Sequence, residues 1–556
     1  MNIAPRPSEK IENRVRAFSL TNVLCTVVVC WSVIFYVRIL TENWGEVRFD
    51  DAYMFARYAH NIIDGNLFRW NPNGEAVFGA TSLLYVLVLA LSMKLLSIGQ
   101  GFLLLLHSWT FGLFALIALV IACSDWAESP LLKNRLFTGA VLLPPLVFQD
   151  LFRFHCTTGM DTTFSFCIHG LLIIQFLRYQ ESPSRKECFI LAGIAYLTYL
   201  ARPDNAVCAI FFPILGFLFP LKDVKRSEAF FFAGVLGTFL AIDTMAKWLL
   251  FGHVLPLSAF TKTGGFYFGY IGWHYWNPVT YLKQVFFGLS PFFVLLFMGG
   301  SRLMPGLLIP FLLPPIATFA AYFSVQQIMG FAARYYVPFI PYFIVCSWKI
   351  LDEIVQRKDQ LSLRWFANRL IPSLAVFVIL SSFPIEEWYA DRFLAAKPFP
   401  KAKIMMKSRE SLPAIDWWEV IGAVSETAAR LPKDSLIAAS EIGYLAASNP
   451  DHPFLDLAGL NDPLIARKGF SVKAILDRKP DLIWFPPADC TGVVHSLLSD
   501  PDFFLNYSFY PEAFNYGIAV RNSGVTAETI AKIFRTQWEK NYPKTLMEDH
   551  RGFPVR

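Results

Sequence analysis

Residues 48–82 read RFDDAYMFARYAHNIIDGNLFRWNPNGEAVFGATS, and this stretch separates long apolar runs. Before it, residues 20–40 carry one charge, Arg38; after it come the apolar runs 81–98 and 101–123. A polar, aromatic, turn-rich stretch between such runs is the pattern of a loop at a membrane face. Within it Ala52, Phe55, Ala56, Ala59 and Ile63 recur at three- and four-residue spacing. That period predicts an amphipathic helix lying on the membrane surface, with Gly65 closing it. Asp50 and Asp51 open the helix. An aspartate there ordinarily caps the first turn, a contribution of roughly 1 kcal/mol. A cap accounts for one aspartate. It leaves unexplained the second, together with Arg57, His60 and the Pro72-Asn73-Gly74 turn.

Composition agrees with a membrane setting. Of 556 residues, 55% are apolar and only 17% are charged, against about 25% charged in globular chains. Mean hydropathy is +0.43, too high for one water-soluble core. The net charge of +6 comes with no dense basic patch on a polar segment, which argues against nucleic acid as a partner. The nine cysteines show no CxxC and no zinc spacing. Cys25, Cys30, Cys123, Cys167, Cys208 and Cys346 sit in apolar runs as small hydrophobes. Cys490 alone falls in the polar tail, which therefore has no internal disulfide.

Lys10, Arg14 and Arg16 precede the first apolar run, which is longer than a secretory signal core. Residues 1–19 are expected in the cytoplasm and 20–40 as the first span. Apolar segments follow at 81–98, 101–123, 136–150, 162–178, 188–200, 205–219, 229–251, 283–299, 305–325, 335–349 and 370–384. Basic loops mark the cytoplasmic side: Lys133/Arg135, Arg185/Lys186, Lys222/Lys225/Arg226, and Lys349 to Arg369. Loops 41–80, 151–161, 201–204, 252–282 and 326–334 then face outward, as does the tail from about 386. Residues 81–123 read as two segments, yet this topology needs an odd number of crossings there, so one segment is re-entrant or interfacial. Asp243 and Lys247, four apart in an apolar segment, are expected to pair, because charges inside a bilayer are costly alone.

The tail differs in kind. Strand-length apolar runs at Ser435–Ser440, Phe454–Leu460, Asp481–Pro486 and Tyr516–Arg521 alternate with helical patterns at about 415–431, 463–477 and 525–540. The fold class expected is thus an all-α polytopic membrane protein with about eleven transmembrane helices over 20–385, an outer loop at 41–80, and a soluble α/β domain over 386–556.

Five elements in chain order carry a resemblance. They are Asp50-Asp51-Ala52-Tyr53 with Arg57-Tyr58 and Asn71-Pro72 to Ser82; Thr158-Gly159-Met160-Asp161-Thr162; Arg202-Pro203-Asp204; Gly252 to Pro256 with Lys262; and Asp456-Leu457-Ala458-Gly459-Leu460-Asn461-Asp462. Together they resemble the GT-C superfamily of membrane glycosyltransferases. The similarity is greatest to the branch holding the mycobacterial terminal arabinofuranosyltransferase and related bacterial enzymes. Phe78 and Ala80 stand where that branch commonly has an acidic residue and an aromatic, and Leu257 where it has Asn.

The resemblance implies a GT-C-like fold in a bacterial plasma (inner) membrane, with active site and carboxy-terminal domain extracytoplasmic. It implies an inverting transfer of a sugar from a polyprenyl-phosphate donor to a glycan or glycolipid acceptor, among membrane lipids and without nucleic acid. A carboxylate must take the acceptor proton, and cations must stabilise the departing phosphate. The resemblance gives the base to the Asp50/Asp51 pair, with Asp50, the first of the two, preferred. Asp161 is a second outer carboxylate, for sugar binding or orientation of the base, or else a helix cap. Arg57 is a further substrate-binding candidate. Arg202, Lys262 and Arg334 are candidate phosphate partners, or else lie at helix ends as headgroup contacts. His253 and His274 are candidates to assist the phosphate. No metal motif is evident and no cofactor is fixed; Asp50, Asp51 and Asp161 would hold a divalent cation only if the fold gathers them. Glu441, Asp456, Asn461 and Asp462 either contact an acceptor or cap helices and turns. The alternatives are a secondary transporter, for which no paired halves are seen, a non-catalytic envelope-assembly protein, and an enzyme using lipid-diphosphate donors.

Overall fold

The structure, a computed structural model, describes residues 7–45, 47–219, 226–263, 278–299, 305–325, 327, 330–356, 417–486, 491–510, 514, 517–523 and 527–541. The apolar run 370–384, the boundary expected at 385/386, Lys222, Lys225, His274 and Cys490 lie outside these residues.

The chain opens with helices α1 (Pro7–Glu42), α2 (Asp50–Ile63), α3 (Leu83–Leu95) and α4 (Gln100–Trp126). Among the described residues three helices are long and apolar enough to cross a membrane: Leu20–Glu42, Gln100–Trp126 and Ser227–Phe251. A fourth span results if Pro278–Gly288 and Ser290–Met298, bent by 81°, count as one. Helix α3 has 13 residues, about 20 Å at 1.5 Å per residue, short of a hydrocarbon core of about 30 Å. Helix α4, with 27 residues, reaches about 40 Å. Of the two segments in 81–123, then, α4 alone has the length of a span. Asp243 and Lys247 pair at 2.7 Å, and Lys247 also donates to the Tyr199 hydroxyl at 2.9 Å.

Helix α2 corrects an expectation. It does not lie open on the membrane surface; nine of its fourteen residues are buried. Its apolar face packs on α3, where Phe55 meets Tyr85 edge-on at 5.3 Å. Its other face is covered by the tail, where Tyr53 meets Tyr444 at 4.9 Å. Gly65, at φ +83°, follows the last turn in the left-handed conformation that a side chain disfavours.

The tail carries a five-stranded sheet in the order β2-β1-β3-β5-β4. Strands β1 (Ile437–Ala439), β2 (Phe454–Asp456) and β3 (Leu482–Trp484) are parallel; β4 (Tyr507–Tyr510) and β5 (Ile518–Arg521) extend the sheet antiparallel. The short parallel strands are fully buried, as parallel sheets require. The helix expected over 463–477 is two, Pro463–Lys468 and Val472–Leu476, divided at Gly469 with φ +82°.

One apolar core runs through both parts. Phe55, Tyr85, Leu104 and Phe164 belong to the same buried cluster as Ile437, Leu455 and Trp484. Much of the polar join is made at one short helix, Gly443–Ser448. At its start the Asp50 carboxylate accepts from the Gly443 and Tyr444 N–H groups at 2.9 and 2.7 Å. At its end the Arg57 guanidinium donates to the carbonyls of Ala446, Asn449 and His452. An acid thus meets the positive pole of the helix and a cation its negative pole. Asp50 and Arg57 are seven residues apart in sequence, about two turns of α2, which sets both on one face.

Candidate active site

A cavity of about 300 Å³ opens between helix ends, α2 and the tail. Asp51, Asp161, Arg202, Lys262 and Arg334 all line it, so five residues far apart in sequence converge. The tail contributes Leu460 and Asn461 to the same wall.

Proline sets Arg202. It pushes the residue before it into the extended region, and Arg202, at φ −160° and ψ 136°, ends helix Arg185–Ala201 in that conformation. Pro203 then starts a 3-10 turn that brings Asp204 back onto the guanidinium, with contacts of 3.0 and 2.8 Å. Tyr322 donates to Asp204 at 2.6 Å. The remaining Arg202 nitrogen, Nη1, meets Asp161 Oδ1 at 3.1 Å. Asp161 precedes helix Thr162–Glu181 but makes no capping bond, so the cap reading fails for it. Its Oδ2 is buried without a partner among the described residues. Gly159, at φ +71°, permits this close turn; a Cβ there would lie 2.9 Å from Leu104 and 3.1 Å from Ala52.

Tyr335 gathers the cations. Lys262 Nζ donates to its hydroxyl at 2.9 Å and lies 5.4 Å from its ring centre. The guanidinium carbons of Arg334 and Arg202 lie 5.3 and 5.6 Å from the same centre. Each contact is a cation–π interaction of the order of 0.5–2 kcal/mol, so one aromatic ring holds three like charges together. Arg334 Nη1 also reaches Asp51 Oδ2 at 3.3 Å, and Arg334 Nε is buried without a partner among the described residues.

Other expected site residues lie elsewhere. Asp50 does not line the cavity and caps no turn of its own helix; it holds the tail. Burial, with Asp51 and Asp456 nearby, raises its carboxyl to about 7 although the Tyr444 and Gly443 N–H groups oppose the rise. Arg57 is sealed under the tail with the Trp70 and Phe454 rings at 5.0 and 4.9 Å, and burial lowers it to about 9. His253 stays behind the wall, its Nδ1 donating to the Leu255 carbonyl at 2.6 Å. Asp456 accepts from the Ala458 and Asn461 N–H groups and holds the loop; Asn461 in turn accepts from Tyr58. Burial raises Asp456 to about 7. Asp462 caps helix Pro463–Lys468 and pairs with Arg478. Glu441 is raised well above the carboxylate range by burial and by Asp50, Asp51 and Asp456.

The three acids expected to hold a cation if gathered, Asp50, Asp51 and Asp161, each have a different partner. Asp50 binds tail amides, Asp51 pairs with Arg334 and Asp161 with Arg202. Among the described residues no group of three or more His, Cys, Asp or Glu side chains has the geometry of a metal site.

The class is given by the fold: helices long and apolar enough to cross a membrane, in the arrangement of the GT-C membrane fold. Among solved structures the chain is similar to ArnT from Cupriavidus metallidurans bound to undecaprenyl phosphate. Identity is 11%, 90% of this chain and 98% of that chain are covered, and the TM-score is 0.51. It is also similar to the Archaeoglobus fulgidus oligosaccharyltransferase in the apo form (12% identity, 83% and 69% covered, TM-score 0.43). A third likeness is to that enzyme tethered with an acceptor peptide (10%, 90% and 74%, TM-score 0.47). At these identities the likeness concerns fold alone. Residues 414–544 match a family described as a domain of unknown function (DUF8728). No curated protein sequence matches the chain.

Proposed function

We propose that the protein is an inverting glycosyltransferase that moves a sugar from a polyprenyl-phosphate donor to a glycan or glycolipid acceptor outside the cytoplasm. The observation that carries this reading is the set of Arg202, Lys262 and Arg334 around Tyr335, facing Asp51 in one cavity. ArnT, of the same fold, was solved with undecaprenyl phosphate, which supports a lipid phosphate as the ligand of the cations.

Asp51, rather than Asp50, is the base. Its carboxylate takes the proton of the acceptor hydroxyl as that oxygen bonds to the anomeric carbon. The bond from that carbon to the phosphate oxygen breaks, its electron pair leaves with polyprenyl phosphate, and the three cations neutralise the charge. Asp161 Oδ2 accepts from a sugar hydroxyl. Lys133 and Arg135 follow the end of α4 remote from Leu104, and by the positive-inside rule this supports an outward-facing cavity. About eleven crossings rest on the apolar segments and basic loops of the sequence, and the inner-membrane location and the likeness to the arabinofuranosyltransferase branch rest on the sequence motifs.

The test is transfer from a panel of radiolabelled polyprenyl-phosphate sugars to envelope acceptors in liposomes. Asp51→Asn is expected to lose about 10²-fold or more. Undiminished transfer by Asp51→Asn would remove the base, and no transfer by folded wild type from any donor would favour a transporter or assembly role.

A further inference from the structure

Residues 330–334 read Gly-Phe-Ala-Ala-Arg. Alanine gains nothing from the left-handed conformation, which costs an L-residue roughly 1–2 kcal/mol. Yet Ala332, at φ +49° and ψ +42°, and Ala333, at φ +53°, both adopt it. Two such residues in succession persist only where their surroundings hold them, and strain of this kind gathers at functional sites. The next residue is Arg334, which the turn delivers into the cavity against Asp51.

The hold comes from a distant part of the chain. His155 ends the short helix Asp150–His155 and is fully buried. Its Nε2 lies 2.8 Å from the Ala332 carbonyl oxygen. A carbonyl only accepts, so Nε2 carries the hydrogen and Nδ1 is bare; Nδ1 is buried with no partner among the described residues. A bare buried nitrogen is a cost of about 1–3 kcal/mol, accepted here beside one well-made bond. Burial first, then the Arg334 and Arg202 charges, lower the ring to about 4, so it stays neutral and in one tautomer at physiological pH.

We propose that His155 is a positioning residue: through the Ala332 carbonyl it holds the left-handed Ala332–Ala333 turn and so aims the Arg334 guanidinium at the donor phosphate. The inference rests on the cavity being the phosphate site. His155 touches neither donor nor acceptor; its whole effect passes through Arg334. Glutamine at 155 keeps an N–H that reaches the carbonyl. Phenylalanine keeps the bulk and loses the donor.

The experiment is a double-mutant cycle on undecaprenyl phosphate binding to the full chain in detergent. Kd is measured for wild type, His155→Phe, Arg334→Gln and the pair. The expected result is about a tenfold rise in Kd for each single variant, no further rise in the pair, and near wild-type binding by His155→Gln. Additive losses, or an unchanged Kd in His155→Phe while Arg334→Gln weakens binding, overturn the role of His155 and leave the phosphate site standing. If Arg334→Gln itself binds as wild type, the phosphate site and this inference fall together. Should His155→Phe not fold, Ala332→Val breaks the same turn at a half-buried position, because a β-branched residue resists the left-handed region. It must show the same loss and the same non-additivity with Arg334→Gln, and wild-type binding by it overturns the inference.

Discussion

The Gly443 N–H donates to the Asp50 carboxylate, and a methyl group placed on Gly443 would collide with the Asp50 backbone carbonyl. The two residues are 393 positions apart, so this contact measures whether the tail is docked. Gly443 is required by close approach, not by its φ angle. Gly443→Ala is therefore expected to cost about 1–3 kcal/mol, as overpacking does, and to loosen the tail while the spanning helices stay folded. Limited proteolysis in detergent would show it as faster release of a tail fragment. Equal resistance of variant and wild type would mean that the chain at 443 yields freely.

The same interface should respond to pH. Burial raises the carboxyls of Asp50 and Asp456 to about 7 when docked, and raises Glu441 well above the carboxylate range. In an unfolded or freely solvated chain such groups titrate near ~4. Between those values the docked form keeps protons that the released form gives up. Docking is then fully supported below about pH 4 and weakens as pH rises towards 7, the opposite of a salt-bridged carboxylate. The unfolding midpoint in detergent should fall from pH 5 to pH 8, and Asp50→Asn should flatten that fall. A midpoint that climbs over this range would contradict the assignment.

The sequence made the site legible where a loop residue has a special geometry. Gly159 and Pro203 each announce a turn, and Asp161 and Arg202 ride on those turns into the cavity. It could not separate Asp50 from Asp51. Neighbours on a helix point about 100° apart, and which one meets the cavity depends on a tail helix of six residues, Gly443–Ser448, too short to leave a period. Tyr335 and His155 were missed because a lone aromatic or histidine has no spacing to read. The nearest signal was Arg334, a cation beside Tyr335 at an outer helix end. Strand β4 was missed because Tyr507-Ser508-Phe509-Tyr510 offers no clear alternation; in the fold only Tyr507 is buried.

Arg57→Lys should not be tolerated as a conservative change. The guanidinium serves the carbonyls of Trp70, Ala446, Asn449 and His452 and the Asn71 amide oxygen, all neutral acceptors. An ammonium has three donors on one atom and no planar fork. At least one buried carbonyl is left unpaired, at about 1–3 kcal/mol. The expected outcome is a lower unfolding midpoint, with transfer reduced only in proportion to the undocked fraction. A selective rise in donor KM, with the midpoint unchanged, would instead return Arg57 to the substrate.

Tyr335 offers a two-stage test of the cation site. Its ring lies under Lys262, Arg202 and Arg334, and its hydroxyl accepts from Lys262 Nζ. Tyr335→Phe keeps the ring and removes that one acceptor. Lys262 is then held by the ring face only, and donor KM should rise about tenfold or less, the scale of one hydrogen bond. Tyr335→Ala removes the ring as well. Arg202 and Arg334 keep their aspartate partners, but the three cations lose the ring they share, and a further loss of about tenfold is expected from the missing cation–π contacts. Donor KM at saturating acceptor, measured for both variants, separates the two contributions. Equal KM values for Phe and Ala at 335 would mean that the ring does not gather the cations, and that Lys262, Arg202 and Arg334 are placed by their own helices.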